Sequence, residues 1–405
     1  MQKIVPGQIN GVWLVLVAVV LTAVNVSHDA AVIAAEPQYL PGELPVTLGR
    51  ELVGVDRIPT LLEIEQAVNQ PDVASLLVFR LLQGSDNHYA PAWSENGQSL
   101  VCLRADLDQR TSKLSVFRQL HDLQPETIYD DSLTYEHMPA WGPGTRLAFA
   151  SNRGDDREEH IHLWQTNSPA RALTTGPGLK ALPQLQHVND GARLLFRRTD
   201  QFELLTWPWQ EPDRQLSREL GPADEMRLSP DGQRLAVIRT PGRLGSGQEF
   251  AIRQLSTQRD SRLAVPDGYL FRNAVWSPDG RWLAFWARPQ ASFDWELWTA
   301  AESGSPPPAP LRAGVRVQED FRHVTPAWSP DSQRIWFIMS RGEQSYYPLQ
   351  WVSPDGLQEG LVNYSKGLTT ALDVAACPDP AAPSLSFVAV SRRSLEVYVM
   401  LLNHL

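Results

Sequence analysis

Cysteine is scarce, two residues in 405, so neither a disulfide-dense scaffold nor a zinc cage built mainly from thiolates is available. Positive charge is short as well: 36 Lys and Arg stand against 46 Asp and Glu, a net charge of −10. Phosphate backbones and anionic lipid surfaces need a basic face, so general nucleic-acid or anionic-membrane binding is excluded and no nucleic-acid partner is expected. Charged residues total only 20%, too few for a disordered polyelectrolyte, while 42% apolar residues suffice for a core. Catalytic signatures are missing too. The chain has no Gly-x-Ser-x-Gly elbow, no His-Glu-x-x-His, no P-loop and no Gly-x-Gly-x-x-Gly. The expectation is a non-enzyme with no catalytic residues, no metal and no cofactor.

Long apolar runs are absent except at the N-terminus. Residues 11–26, GVWLVLVAVVLTAVNV, follow Lys3 and precede the small residues of AAVIAAEP. Residues 1–35 therefore read as a signal peptide cut after Ala34 or Ala35, or as an uncleaved membrane tether. Either reading places the remainder in the periplasm or otherwise outside the cytoplasm. Residues 36–74 read as an extended, proline-bearing linker with a short helix over 61–69, opened by the capping box Thr60-Leu-Leu-Glu63.

What the chain has in quantity is proline (32), glycine (26) and tryptophan (14), arranged periodically. PAWSENG (91–97), PAWGPGT (139–145), HVNDG (187–191), RLSPDG (227–232), AVWSPDG (274–280), PAWSPDS (326–332) and AACPDP (375–380) form a degenerate series. Its anchors are Trp93, Trp141, His187, Leu228, Trp276, Trp328 and Ala376, 41 to 52 residues apart. That period belongs to propellers or helical solenoids. Each turn is followed by two short runs rich in β-branched and aromatic residues, such as LAFW (283–286) and WELW (295–298), too short for helices. Ser-Pro-Asp-Gly is a turn: Pro presets φ, Asp caps the backbone, and Gly takes positive φ. Seven such meanders predict an all-β, seven-bladed propeller of four-stranded antiparallel blades over 75–405, with six blades as the alternative count. The anchor tryptophans should be buried between blades. The last unit ends just after its third strand, so residues 75–82 are expected to pair beside 395–402 and close the ring, since an open sheet edge invites aggregation.

PAWSPDG, a strand, a Ser-x-Arg-Gly segment such as Ser151-Asn152-Arg153-Gly154, and a second strand resemble the TolB-type propeller repeat over roughly 87–405. The resemblance implies an exported scaffold that contacts an envelope protein or lipoprotein. The runner-up is a propeller enzyme or carbohydrate-binding module acting on a polysaccharide. A broad neutral or apolar patch at the channel mouth favours the first; converging His, Arg and acidic side chains favour the second.

Four residues are candidates for that mouth. His88 and His323 each precede an anchor tryptophan by five residues, and Arg272 and Arg322 lie one residue from the matching position. Partner contact through His88, Arg272, Arg322 and His323 is the sharper reading; polar caps on strand ends is the blander one. Glu158-Glu159-His160-Ile161-His162 has metal-ligand character, but a solvated hairpin on an outer strand is the expectation. Trp282, Phe285, Trp286, Phe293, Trp295 and Trp298 are expected in inter-blade packing. Cys102 and Cys377 are expected as buried free thiols rather than a staple across the ring seam.

Overall fold

The computed structural model describes residues 45–47, 77–80, 87–106, 111–118, 125–128, 136–142, 144–153, 158–188, 191–206, 218–241, 247–315, 325–338, 349–363, 368–378, 384–391 and 394–401. The expected N-terminal signal or anchor and the short helix over 61–69 lie outside them. Among the described residues every element is a β-strand, and no helix is long and apolar enough to cross a membrane.

These strands form seven sheets, six of four strands and one of five. Five are meanders in which chain order is spatial order; the other two are meanders to which an earlier segment of the chain adds the outermost strand. The first strands of blades 1 to 7 are Asn87–Trp93, Glu136–Trp141, Lys180–Val188, Glu225–Leu228, Tyr269–Trp276, Ala327–Trp328 and Leu368–Ala376. Each meets the first strand of the next blade, and that of blade 7 meets that of blade 1. The first strands are therefore innermost, and the ring closes at seven blades. Leu77–Arg80 pairs antiparallel with Ser394–Leu401, Leu77 opposite Leu401 and Arg80 opposite Tyr398, and becomes the outer strand of blade 7 as the sequence predicts. Pro45–Thr47 adds a fifth strand to blade 6, parallel to Glu359–Asn363.

The repeated turn works through its serine. Ser277 Oγ lies 2.6 Å from Asp279 Oδ1 and accepts the Trp282 amide at 2.9 Å, while Asp279 accepts the Arg281 amide at 3.0 Å. Gly280 closes the turn onto the Ser277 carbonyl at φ 69°. The same set recurs at Ser229/Asp231, Ser329/Asp331 and Ser353/Asp355. Burial opposes ionisation of Asp231 and Asp279, but the serine hydroxyl, the backbone amide and the neighbouring arginine outweigh it and hold both below the ordinary carboxylate value.

Pro-Ala-Trp has a matching explanation. In blades 1, 2, 3 and 5 the inner strand slips register at one place, with Ala90, Met138, Leu182 and Asn273 at φ 51°, 54°, 54° and 52°. Such a bulge leaves residues unpaired and re-aims the strand. Pro91, Pro139 and Pro183 occupy the unpaired position, on an edge strand where a missing N–H goes unnoticed. Three residues after the positive φ comes the anchor, whose side chain fills the seam to the preceding blade. Trp93, Trp276 and Trp328 are buried and Trp141 is partly buried.

Each anchor indole also donates to the carbonyl just before the preceding blade's anchor. Trp141 Nε1 reaches Ala92 O at 2.8 Å, Trp276 reaches Arg227 O at 3.1 Å, Trp328 reaches Val275 O at 3.3 Å, and Trp93 reaches Ala375 O at 3.2 Å across the closing seam. Blade 3 corrects the repeat alignment. Its bulge at Leu182 makes Leu185, paired with Leu194, the anchor rather than His187, because this hairpin extends further past the anchor than the others. Blades 3 and 4 thus carry leucine at the anchor. Between them Gln184 supplies the missing link, donating to Met226 O at 2.8 Å and accepting the Leu228 amide at 2.9 Å. Apolar clusters, each drawn from two successive blades, fill the seams from blade 1 to blade 6.

Candidate interaction face

Call the top face the end of the ring where inner strands begin, second strands end and third strands begin. Among the sequence candidates that the structure describes, His88, Arg272, His160 and His162 lie toward this end. His88 pairs with Arg104, on the side of blade 1 opposite to Leu103, and is therefore turned to blade 7 and buried. Arg272 pairs with Trp286 and is turned the other way, to blade 6. The two do not share a seam. Arg322 and His323 lie outside the described residues.

Blade 2 holds the densest polar group. Glu136 begins the inner strand and faces blade 1, where its Oε2 accepts the Leu114 amide at 2.7 Å and its carbonyl accepts the Ser112 hydroxyl at 2.7 Å. Across the blade it lines up with Ser151 and His160. One row further in, His162 stacks on Phe149 with ring centroids 5.7 Å apart. His137 pairs with Ala150 and faces blade 3, with Nε2 3.3 Å from a Glu159 carboxylate oxygen. The expected solvated hairpin is corrected here. His160–Gln165 is the third strand of its blade, covered by an outer strand at Ser168–Ala172 and by neighbouring blades, and both histidines are buried. Among the described residues no cluster of three or more His, Cys, Asp or Glu is arranged to hold a metal ion.

Burial, then the nearby His160 and Arg153, lowers the His162 pKa from 6.5 to about 4, against a smaller opposing hydrogen bond to the Arg153 backbone. The imidazole is therefore neutral in the fold. The unfolded chain binds the proton first, so the stabilising contribution is complete above pH 6.5 and drains away as pH falls toward 4. On the order of 3 kcal/mol is at stake for this shift. Thermal melts between pH 7 and pH 4 should fall steeply for the wild type and less steeply for His162→Phe, which keeps the stack on Phe149 without a titrating ring. Parallel slopes for the two proteins would contradict this assignment.

The aromatic group of blade 5 divides between two seams, as expected. Phe285 and Trp298 pack toward blade 4, with Phe250 and Phe285 4.9 Å apart edge to face; Trp282, Trp286 and Trp295 pack toward blade 6. Phe293 is the exception, 73% exposed at the tip of the hairpin into the third strand. Both cysteines are free and buried; burial pushes the Cys102 thiol up to about 12, and the Cys377 thiol points at the Gly97 carbonyl, 3.8 Å away.

The exposed large apolar side chains of the described residues are Met138, Leu179, Phe293 and Leu357. The first three are on the top face; Leu357 sits in a turn at the opposite end. Met138 and Leu179 belong to neighbouring blades, and Met138 Sδ receives the amide of the next bulge residue, Leu182, at 3.4 Å. Sequence reasoning passed over Met138 because it sits just before Pro-Ala-Trp, where only the positive φ turns it outward.

No protein-family model matches the chain, and no curated protein matches it by sequence. Solved structures do match. An oligogalacturonate lyase in complex with manganese aligns over 81% of this chain and 93% of its own at 11% identity, with a TM-score of 0.59. A prolyl endopeptidase aligns over 78% of this chain at 12% identity, TM-score 0.51, and there the chain spans 50% of the other protein's length. TolB from Acinetobacter baumannii aligns over 86% of this chain and 92% of its own at 14% identity, TM-score 0.44. The likeness to the lyase and the endopeptidase, at such identities, establishes the propeller fold alone, which hosts unrelated activities.

Proposed function

We propose that this protein is an exported β-propeller acting as a protein-binding scaffold at the cell envelope, where its top face receives an envelope protein or lipoprotein. One observation carries the reading. On that face three large apolar side chains, Met138, Leu179 and Phe293, are left in solvent, whereas His88, His137, His160 and His162 are drawn into the seams. Exposed apolar groups rimmed by polar ones mark interaction sites. Residues 11–26 supply the export signal or the tether. The test is crosslinking in an envelope fraction with Met138→Asp and Leu179→Asp. Both variants should keep the wild-type melting temperature and lose the captured partner. Undiminished capture by both would remove the top face from the proposal.

The second reading, a propeller enzyme or carbohydrate-binding module acting on a polysaccharide, draws on the histidines of blade 2. It requires His160→Ala or His162→Ala to change polysaccharide binding or turnover, which the scaffold reading does not.

A further inference from the structure

We infer that the outer edge of blade 6 is a strand-docking site for a protein partner, entered by an extended segment that displaces Pro45–Thr47 and carries Asp or Glu opposite Gly360. The inference goes beyond the top-face reading and does not depend on it. Its starting point is a strand foreign to the meander. Pro45–Thr47 runs beside Glu359–Asn363, the one parallel pairing among the described residues. It sets Pro45 opposite Leu361, Val46 opposite Val362 and Thr47 opposite Asn363, and stops short of Gly360. A parallel ladder is slightly weaker per residue than an antiparallel one, and this strand has only three residues. Blade 6 therefore accepts an extended strand at its edge and holds the present one weakly.

At the next rung the blade offers more than that strand uses. Gly360 pairs with Trp351, which pairs with Trp336, so all three share one face. Ile335, Phe337 and Val352 take the other face, toward blade 5, which leaves the Trp351 row on the side of blade 7. The Trp351 indole lies across Gly360, where a Cβ would collide with its Nε1. That Nε1 is buried and, among the described residues, has no hydrogen-bond partner. Arg334 lies two residues before Trp336, and its guanidinium carbon is 5.1 Å from the Trp351 ring centroid. Both Arg334 and Trp351 are half-buried, so they are held yet reachable. In blade 4 the corresponding arginine, Arg234, is held by Asp231 at 3.1 Å and Glu302 at 2.8 Å. Among the described residues no carboxylate does the same for Arg334.

Residues paired across a sheet point to the same side. A docked parallel strand therefore sets the side chain that precedes its Leu361 partner beside Gly360, on the Trp351 face. In this chain the residue before Pro45 is Leu44, whose side chain has no acceptor. Asp or Glu at that place accepts from the Trp351 indole and pairs with the Arg334 guanidinium, and contacts of the second kind are about twice as strong as neutral ones. Main-chain hydrogen bonds along Glu359–Asn363 supply affinity and the Trp351–Arg334 corner supplies the choice of residue, the usual division when a strand is added to a sheet edge. The protein carries a net charge of −10, so an acidic side chain is repelled in general and favoured here, which fixes the register of the incoming strand.

Fluorescence anisotropy on the full chain tests this with labelled hexapeptides: residues 43–48 as they stand, Glu-Leu-Pro-Val-Thr-Leu, and the same peptide with Leu44→Asp or Leu44→Lys. The Asp peptide should bind saturably and about tenfold more tightly than the other two, the margin of one charge-assisted contact. Arg334→Gln and Trp351→Phe should each erase most of that margin, and the first serves alone if the second fails to fold. Changing Pro45, Val46 and Thr47 together to glycine should tighten binding, because the peptide then has no strand to displace. A disulfide between Val46→Cys and Val362→Cys, opposite each other in the pairing, should block binding until it is reduced. Arg262→Gln, an exposed arginine on the outer strand of blade 4, should bind every peptide as wild type. The site is overturned by equal affinity for the three peptides, by no binding of the Asp peptide to wild type and the triple-glycine variant, by an unchanged margin in Arg334→Gln, or by undiminished binding to the disulfide-locked chain.

Discussion

Replacing Trp276 with alanine is expected to lower the melting temperature more than any single change on the top face, while leaving partner binding per folded molecule intact. Trp276 is buried in the seam between blades 4 and 5, against Phe250, Phe271 and Phe285. Its indole donates to Arg227 O at 3.1 Å, and the Arg234 guanidinium lies 5.1 Å from its ring. Truncation leaves a cavity between two sheets that cannot collapse without moving a whole blade, and Trp→Ala changes of this kind cost about 3–5 kcal/mol. It also strands the Arg227 carbonyl. Trp276→Leu should be milder, because leucine already fills the anchor in blades 3 and 4. Trp276→Phe should keep most of the packing and lose the one hydrogen bond, worth about 1 kcal/mol. Calorimetry on the three variants should rank them alanine, leucine, phenylalanine from least to most stable. A wild-type melting temperature for the alanine variant would contradict the assigned role of the anchor.

That ranking also explains why the fold was legible in the sequence and the exposed apolar residues of the top face were not. Pro-Ala-Trp and Ser-Pro-Asp-Gly are read from local physics: a proline where a bulge leaves no pairing, an aromatic at the seam, a hydroxyl and a carboxylate around a tight turn. These demands repeat in each blade, so even degenerate copies give the period. Blade 3 hid its anchor because its hairpin runs on past Leu185, which put His187 in the place where the turn pattern expects tryptophan. Gln184 does the work of an indole there, and nothing local marks a glutamine for that task. The His160 and His162 pair misled for a related reason. Alternation suggests one wet face, but a third strand in a propeller has blades on both sides, so Ile161 and its two neighbours are all buried. Met138, Leu179 and Phe293 owe their exposure to a bulge, a strand start and a hairpin tip. Hydropathy alone assigns such residues to the core.

A chain that begins at residue 81 is expected to self-associate, whereas one that begins at residue 75 should remain a monomer with a melting temperature near that of a longer chain. The reason lies in how the ring is fastened. At the inner edge blade 1 is tied to blade 7 by Trp93 Nε1, which reaches Ala375 O at 3.2 Å and Ser386 Oγ at 3.0 Å, and by the Cys377 thiol at the Gly97 carbonyl. Those contacts survive either truncation. At the outer edge, among the described residues, the side of Ser394–Leu401 away from Ser384–Ser391 is covered only by Leu77–Arg80. Without it, a row of unpaired N–H and C=O groups faces solvent along a strand that reads Ser-Leu-Glu-Val-Tyr-Val-Met-Leu, β-prone and bearing a single charge. Such an edge pairs with its like in another molecule. Both truncations also remove Pro45–Thr47, the parallel fifth strand of blade 6, so the comparison isolates the closing strand. Size-exclusion chromatography with light scattering reads the outcome. A monomeric chain from residue 81, melting like the chain from residue 75, would show that the inner contacts alone close the ring and that Leu77–Arg80 is dispensable.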